Sequence, residues 1–164
     1  MRGRKGDPLA EVGTALLRLA VGVLFFAHGA QKLLPVWGST GLAGTAEQLT
    51  SLGFAGATML AVLVGAIELG GGVLLVAGAY TRWASLLLLA DVTLFAWKAH
   101  LAHGFFLNWT LAPGTGHGVE YHLVLFAALV CLVFTGAGAV SVDGYRHRAA
   151  EAAAAGRARL RSGM

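Results

Sequence analysis

The chain has 164 residues, of which 57% are hydrophobic and only 12% charged, with a mean hydropathy of +0.71. A water-soluble domain carries about 25% charged residues, so this composition excludes an ordinary soluble enzyme and names the bilayer as the solvent. The net charge of +4 is concentrated near the two ends and has no aromatic-interleaved basic surface, which excludes nucleic acid as a partner and fits contact with anionic lipid.

The first apolar segment runs from about Leu9 to Leu34, behind Arg2, Arg4 and Lys5. It is too long and too polar, with Arg18, His28, Gln31 and Lys32 inside it, for a cleaved signal sequence, and is read as a retained helix. The stretch 35–56 follows without Lys or Arg; Ala43, Ala46, Leu49 and Leu52 recur at i, i+3 between Pro35 and Gly53, predicting a short amphipathic helix at the outer surface. A second apolar segment, Ala57 to Ala79, and a third, Trp83 to His103, are separated by a turn so short that they must lie antiparallel. A Gly-rich cap at 104–118 leads into the fourth, Val119 to Val140, which contains the single cysteine, Cys131, expected to be a buried packing residue. With one cysteine, any dithiol redox chemistry belongs to a partner.

Each segment is near the roughly 20 residues that cross the hydrocarbon core, so the expected fold is all-α: a transmembrane four-helix up-down-up-down bundle over residues 1–148, with a basic tail at 149–164 that is either a surface helix or disordered. Of the 12 Lys and Arg, all but Arg18, Lys32 and Lys98 lie before the first segment, at Arg82, or after the fourth. The positive-inside rule then puts both termini in the cytoplasm. Trp37, Trp109 and Tyr121 fall at the outer boundaries and Tyr80, Trp83 and Tyr145 at the inner ones, as an aromatic belt requires.

Ionisable groups inside a bilayer turn inward and need partners. Counting helix rise from the inner ends of their segments places Arg18, Glu68 and Asp91 at comparable depth, which predicts one buried polar cluster, either an ion pair that fixes helix register or a proton-handling site. A second set lies toward the outer side: His28, Gln31 and Lys32, then Lys98, His100 and His103, then Glu120, Tyr121 and His122. His28 and Lys32 share a face at i, i+4, and Asp91 and Lys98 share one at i, i+7. His28, Lys32, Lys98 and His100 are therefore expected to line an outer pocket able to hydrogen-bond the carbonyls of a quinone. Side chains that merely snorkel to water are the competing reading. A metal or haem site is the least supported, because the H-E-x-x-H spacing is missing.

The run Leu17-Arg-Leu-Ala-Val-Gly-Val-Leu-Phe-Phe-Ala-His-Gly-Ala-Gln-Lys32 resembles the first helix of the DoxX family. Gly65-Ala-Ile-Glu68 with Gly70-Gly-Gly72 resembles the second, and Gly78-Ala-Tyr-Thr-Arg82 the inner turn. Thr135-Gly-Ala-Gly-Ala-Val-Ser-Val-Asp143 is similar to the family's closing signature, with Val142 where Leu is usual. The resemblance covers roughly residues 14–143. It implies a prokaryotic multi-pass membrane protein of the cytoplasmic membrane, associated with oxidoreductase systems, quinone, and sulfur or oxidative-stress metabolism. It implies a protein partner in a redox complex; Gly-rich helix faces add oligomerisation as a further expectation. Two other readings stand beside it: a non-catalytic membrane scaffold that docks a soluble redox partner, and a small proton-linked transporter.

Overall fold

The computed structural model describes residues 7–162, so the basic residues Arg2, Arg4 and Lys5 lie outside the described part. Helix α1 spans Pro8–Leu33, about 39 Å at the usual rise. Asp7 caps it by accepting from the Leu9 N–H at 3.0 Å, with Pro8 in the first turn, where a missing N–H costs nothing. It stops at Leu34, which turns extended ahead of Pro35. The remaining helices are α2 (Gly41–Ser51), α3 (Ala57–Ala77), α4 (Thr81–Phe95), α5 (Glu120–Thr135) and α6 (Val142–Ser162). Among the described residues the fold is all-helical. Three stretches are long and apolar enough to cross a membrane: Pro8–Leu33, Ala57–Ala77 and Thr81–His103.

Glycines set the closest helix pair. A Cβ on Gly72 would meet the Phe26 backbone, one on Gly29 the Leu69 backbone, one on Gly22 Val76, and one on Gly65 the Leu33 side chain. These four contacts describe a single antiparallel register between α1 and α3, in which backbones touch because no side chain intervenes. The same register carried on puts Arg18 level with Tyr80, past the end of α3, and Ala30 level with Glu68. Arg18 and Glu68 are therefore about 12 residues, or roughly 18 Å, apart along the axis.

That overturns the expected grouping of Arg18 with Glu68 and Asp91. The depth count assumed that all helices start at one level, but α1 begins well beyond the end of α3. Arg18 instead donates to the Ala137 carbonyl at 2.6 Å and the Val140 carbonyl at 3.1 Å. These belong to the non-helical stretch 136–141, where Gly136 and Gly138 have positive φ. Glu11 accepts from the Ala139 N–H in the same stretch, and Arg148 donates to the Ala139 carbonyl. Asp143 then reaches back 63 and 62 residues to accept from the N–H groups of Tyr80 (2.9 Å) and Thr81 (3.0 Å), capping α4 from outside. This end of the molecule, called here the terminal face, is a latch that joins four helices through backbone groups which lipid could not satisfy.

Two expected segments differ. α5 stops at Thr135, not Val140, because Gly136 takes φ 76° and ends the helix; at 16 residues it is shorter than the three long spans. The third segment is an α-helix only to Phe95; Ala96–His100 is a π-turn and Leu101–His103 a 3-10 turn. Cys131, expected inside, faces outward, among apolar side chains such as Val124 and Phe134 that present the lipid-facing surface. α6 contains the Ala/Arg-rich stretch after Ala149, helical through Ser162.

The predicted outer amphipathic helix is α2, but its packed face differs from the one proposed. Gly41, Thr45 and Leu49 are buried, while Ala43 is exposed and Ala46 and Leu52 are half-covered. Spacing of four, not three, points this helix at α1, where Thr45 donates to the Lys32 carbonyl at 3.0 Å.

Candidate functional site

The face opposite the latch carries a cavity of about 880 Å³. At its floor Lys32 donates to both oxygens of Glu68, each at 2.6 Å. Lys32 lies one residue from the end of α1, and Glu68 is eleven residues into α3; the antiparallel register lets the long lysine stem reach inward to it. The Lys32 ammonium also sits 5.3 Å from the centre of the Phe95 ring. The Asp91 carboxyl of α4 lies beside Glu68 and within electrostatic reach of Lys32. Glu68 and Asp91 are 4% and 7% exposed. One cation thus faces two carboxyl groups in a buried setting.

Imidazoles form one wall. The His100 and His122 rings lie 4.2 Å apart, centre to centre. His100 donates from Nδ1 to the His117 carbonyl at 2.9 Å, which in the neutral ring leaves the lone pair on Nε2. His28 does the same toward the Leu24 carbonyl, also at 2.9 Å. The buried Nδ1 of His122 has no hydrogen-bond partner, an unsatisfied polar atom at the edge of the space. Leu24, Phe25, Val92 and Leu125 supply the apolar walls, and Tyr121 the phenol nearest Glu68.

The mouth is built by two segments whose role the sequence did not reveal. Ser39 to Gln48 borders one side, and Leu107 to His117 the other. The second is held as one piece by Asn108, whose amide donates to the carbonyls of Ala112 (3.1 Å) and Thr115 (2.8 Å) and accepts from the Ala112 N–H (3.0 Å). Glu120 pins it to α5 by accepting from the Leu107 N–H at 3.0 Å. The clue available from sequence was Asn108 before a Gly- and Pro-containing stretch, the composition of a side-chain-stapled turn.

Of the residues singled out from sequence, His28, Lys32 and His100 border this cavity, as do Glu68 and Asp91 from the other proposed set. Arg18 and Lys98 do not. Lys98 turns away, its ammonium 4.8 Å from the Trp97 ring and 5.5 Å from the Phe54 ring. The seven-residue spacing from Asp91 failed because the π-turn changes the angle per residue between them. His103 packs toward Gly116 of the mouth segment. Two sites expected apart are therefore one site, less its two outlying cations. Among the described residues no group of three or more His, Cys, Asp and Glu is arranged to hold a metal ion.

The helices that form this floor, α1, α3 and α4, coincide with a match to the family model DoxX over residues 13–104, more than half of the chain. The chain belongs to the DoxX family. This DoxX protein is 40% identical over 72 residues to "Putative oxidoreductase CatD" of Bacillus subtilis (strain 168), a match that takes in 44% of this chain and 48% of that relative. The chain thus spans about half the length of that curated relative. It is 31% identical over 131 residues to a protein of Haemophilus influenzae described as "Uncharacterized protein", covering 79% of this chain and 87% of the other. No solved structure matches this chain. The DoxX match ends before Leu107, so the second mouth segment and the α5 residues Tyr121 and His122 lie beyond it.

Proposed function

We propose that this DoxX protein is a multi-pass subunit of a quinone-linked redox complex in a prokaryotic cytoplasmic membrane, and that the Lys32–Glu68 cavity receives the quinone head. In this reading α5 crosses together with α1, α3 and α4, both termini are cytoplasmic, α2 is extracytoplasmic, and residues 1–148 form the membrane domain. The observation that carries the reading is the cavity itself: about 880 Å³ with apolar walls and a charged floor, within the usual 300–1,000 Å³ of small-molecule sites. The described relationship to CatD supports a redox role.

The donor set fits a dicarbonyl ring. A quinone accepts two electrons and two protons to become a quinol. Lys32 is a hydrogen-bond donor that Glu68 holds in place, and it donates to a carbonyl oxygen without leaving its partner, because an ammonium has three N–H groups. The His122 and His100 rings stand side by side at the imidazole wall and offer ring nitrogens to the second carbonyl. Leu24, Val92 and Leu125 exclude water from the ring faces. Electrons come from a partner redox protein, whose role in sulfur or oxidative-stress metabolism follows the family association.

Mass spectrometry of small molecules retained after mild detergent purification tests this. A quinone retained by the native protein and lost in Lys32→Met supports the reading. A native protein that retains none, and binds none when menaquinone is supplied in the detergent, refutes it.

A further inference from the structure

The cavity lies at one end of the bundle. Its lining on α1 runs from Leu24 to Lys32, on α4 from Asp91 to Phe95, and on α5 from Tyr121 to Leu125, always the half of the helix nearer α2. Above, it reaches Gly38, Gln48, Asn108 and Leu111 in the two mouth segments. Below it the bundle is filled. Phe25 is 2% exposed and Leu75, Leu88, Leu129 and Leu132 are at 0%; these belong to one continuous apolar core. Such packing leaves no file of water.

Polar groups beyond that layer do not join the cavity. Thr81 and Ser85 are fully buried on α4 with hydroxyls that find no partner, and the Arg18 Nε is likewise unpartnered. None of the three borders the cavity. Leu88 lies on α4 between Ser85 and Asp91, and its side chain presses on Gly71 of α3, where a Cβ would come within 3.0 Å of it. The guanidinium of Arg18 is committed to the 136–141 carbonyls. The molecule therefore has two polar zones with an apolar partition between them.

We infer that the site exchanges water and protons with the compartment on the α2 side alone. This deepens the proposed function, resting on its cavity but not on its ligand. Every titratable group facing the space, from α1 (His28, Lys32), α3 (Glu68), α4 (Asp91), the π-turn (His100), the mouth (His117) and α5 (Tyr121, His122), lies on the α2 side of the partition. A proton given or taken by the ligand thus passes through the mouth between α2 and the Asn108 loop. The terminal-face compartment contributes none, whatever ligand the cavity holds.

One-sided thiol modification tests this with no ligand present. In a Cys131→Ala background, Asp91→Cys reports the floor, Gln48→Cys the mouth, and Ser85→Cys the inner polar zone. Leu125→Cys is a second floor reporter if Asp91→Cys does not fold. The probe is a membrane-impermeant, positively charged methanethiosulfonate, applied to right-side-out or inverted vesicles. Ser39→Cys fixes which side carries α2. Expected is modification of the floor at least an order of magnitude faster from the α2 side than from the terminal side, with Ser85→Cys unreactive from the α2 side. Equal or faster floor modification from the terminal side overturns the inference, as does a folded floor variant inert from both sides. Retention of quinone tests the proposed function separately: a protein that binds no quinone but labels only from the α2 side refutes that reading and leaves this one standing.

Discussion

Removing Lys32 and removing Glu68 have unequal costs, because a third ionisable group, the Asp91 carboxyl, is present. In Lys32→Met, Glu68 and Asp91 are left side by side, both nearly buried, with no cation between them. Breaking a buried ion pair costs about 3–5 kcal/mol. The Lys32 side chain is 19% exposed and borders a cavity that takes water, so the lower end applies, about 3 kcal/mol. At this chain length that is a loss of roughly 6–12 °C in unfolding temperature. Glu68→Gln is milder: the amide oxygen still accepts from Lys32 and the Asp91 carboxyl remains as its counter-group, leaving a loss of about 1 kcal/mol. The double variant has one buried carboxyl and nothing to repel it, so it is no worse than Lys32→Met. The two changes are non-additive by about 1 kcal/mol or more. Thermal unfolding of the four proteins in one detergent, followed by circular dichroism, reads this directly. If Lys32→Met lies within 0.5 kcal/mol of the native protein, or the double variant equals the sum of the singles, the cavity floor is not the coupled charge cluster described.

Gly72→Ala puts a methyl against the Phe26 backbone, whereas Gly70→Ala meets nothing within 4 Å; the first is expected to lose most folded protein in size-exclusion chromatography and the second none. Asp143→Ala removes both caps on α4 and is expected to cost about 1–2 kcal/mol, with Asp143→Asn intermediate, by the same unfolding assay. Arg18→Lys cannot bridge the Ala137 and Val140 carbonyls with a planar fork and is expected to destabilise, while leaving quinone retention unchanged because Arg18 does not border the cavity. Cysteines at Ser39 and Thr115 are expected to label from outside intact cells; labelling only after permeabilisation contradicts the assigned orientation.

Hydrophobic run length and the short turn at residues 78–82 were enough to read from sequence that the chain is helical and membrane-bound, and that α3 and α4 form a hairpin. Residue type also singled out Glu68 and Asp91 as groups needing partners in a bilayer, and Lys32 and His100 as candidates for an outer pocket. Relative helix height was not legible. It depends on where Gly22, Gly29 and Gly72 let backbones touch, and that register moved Arg18 about 12 residues away from Glu68 and brought Lys32 to it. Angular position on α4 was lost for a different reason. Nothing in Ala96–His100 announces a π-turn, yet it swings Lys98 onto Trp97. The mouth was invisible because its parts, Gln48 and Asn108, are sixty residues apart and meet only across the cavity.

Photo-crosslinking with an azido-quinone tests the central claim most directly, since it reads position as well as binding. Native protein in proteoliposomes is irradiated with the probe, digested, and the modified residues mapped by mass spectrometry. The account predicts label on the cavity walls, at His100, Tyr121, His122 or Leu125, competed by excess menaquinone and lost in Lys32→Met. Label confined to the lipid-facing groove of Leu86, Thr93, Trp97 and Phe126, unchanged by Lys32→Met, contradicts it.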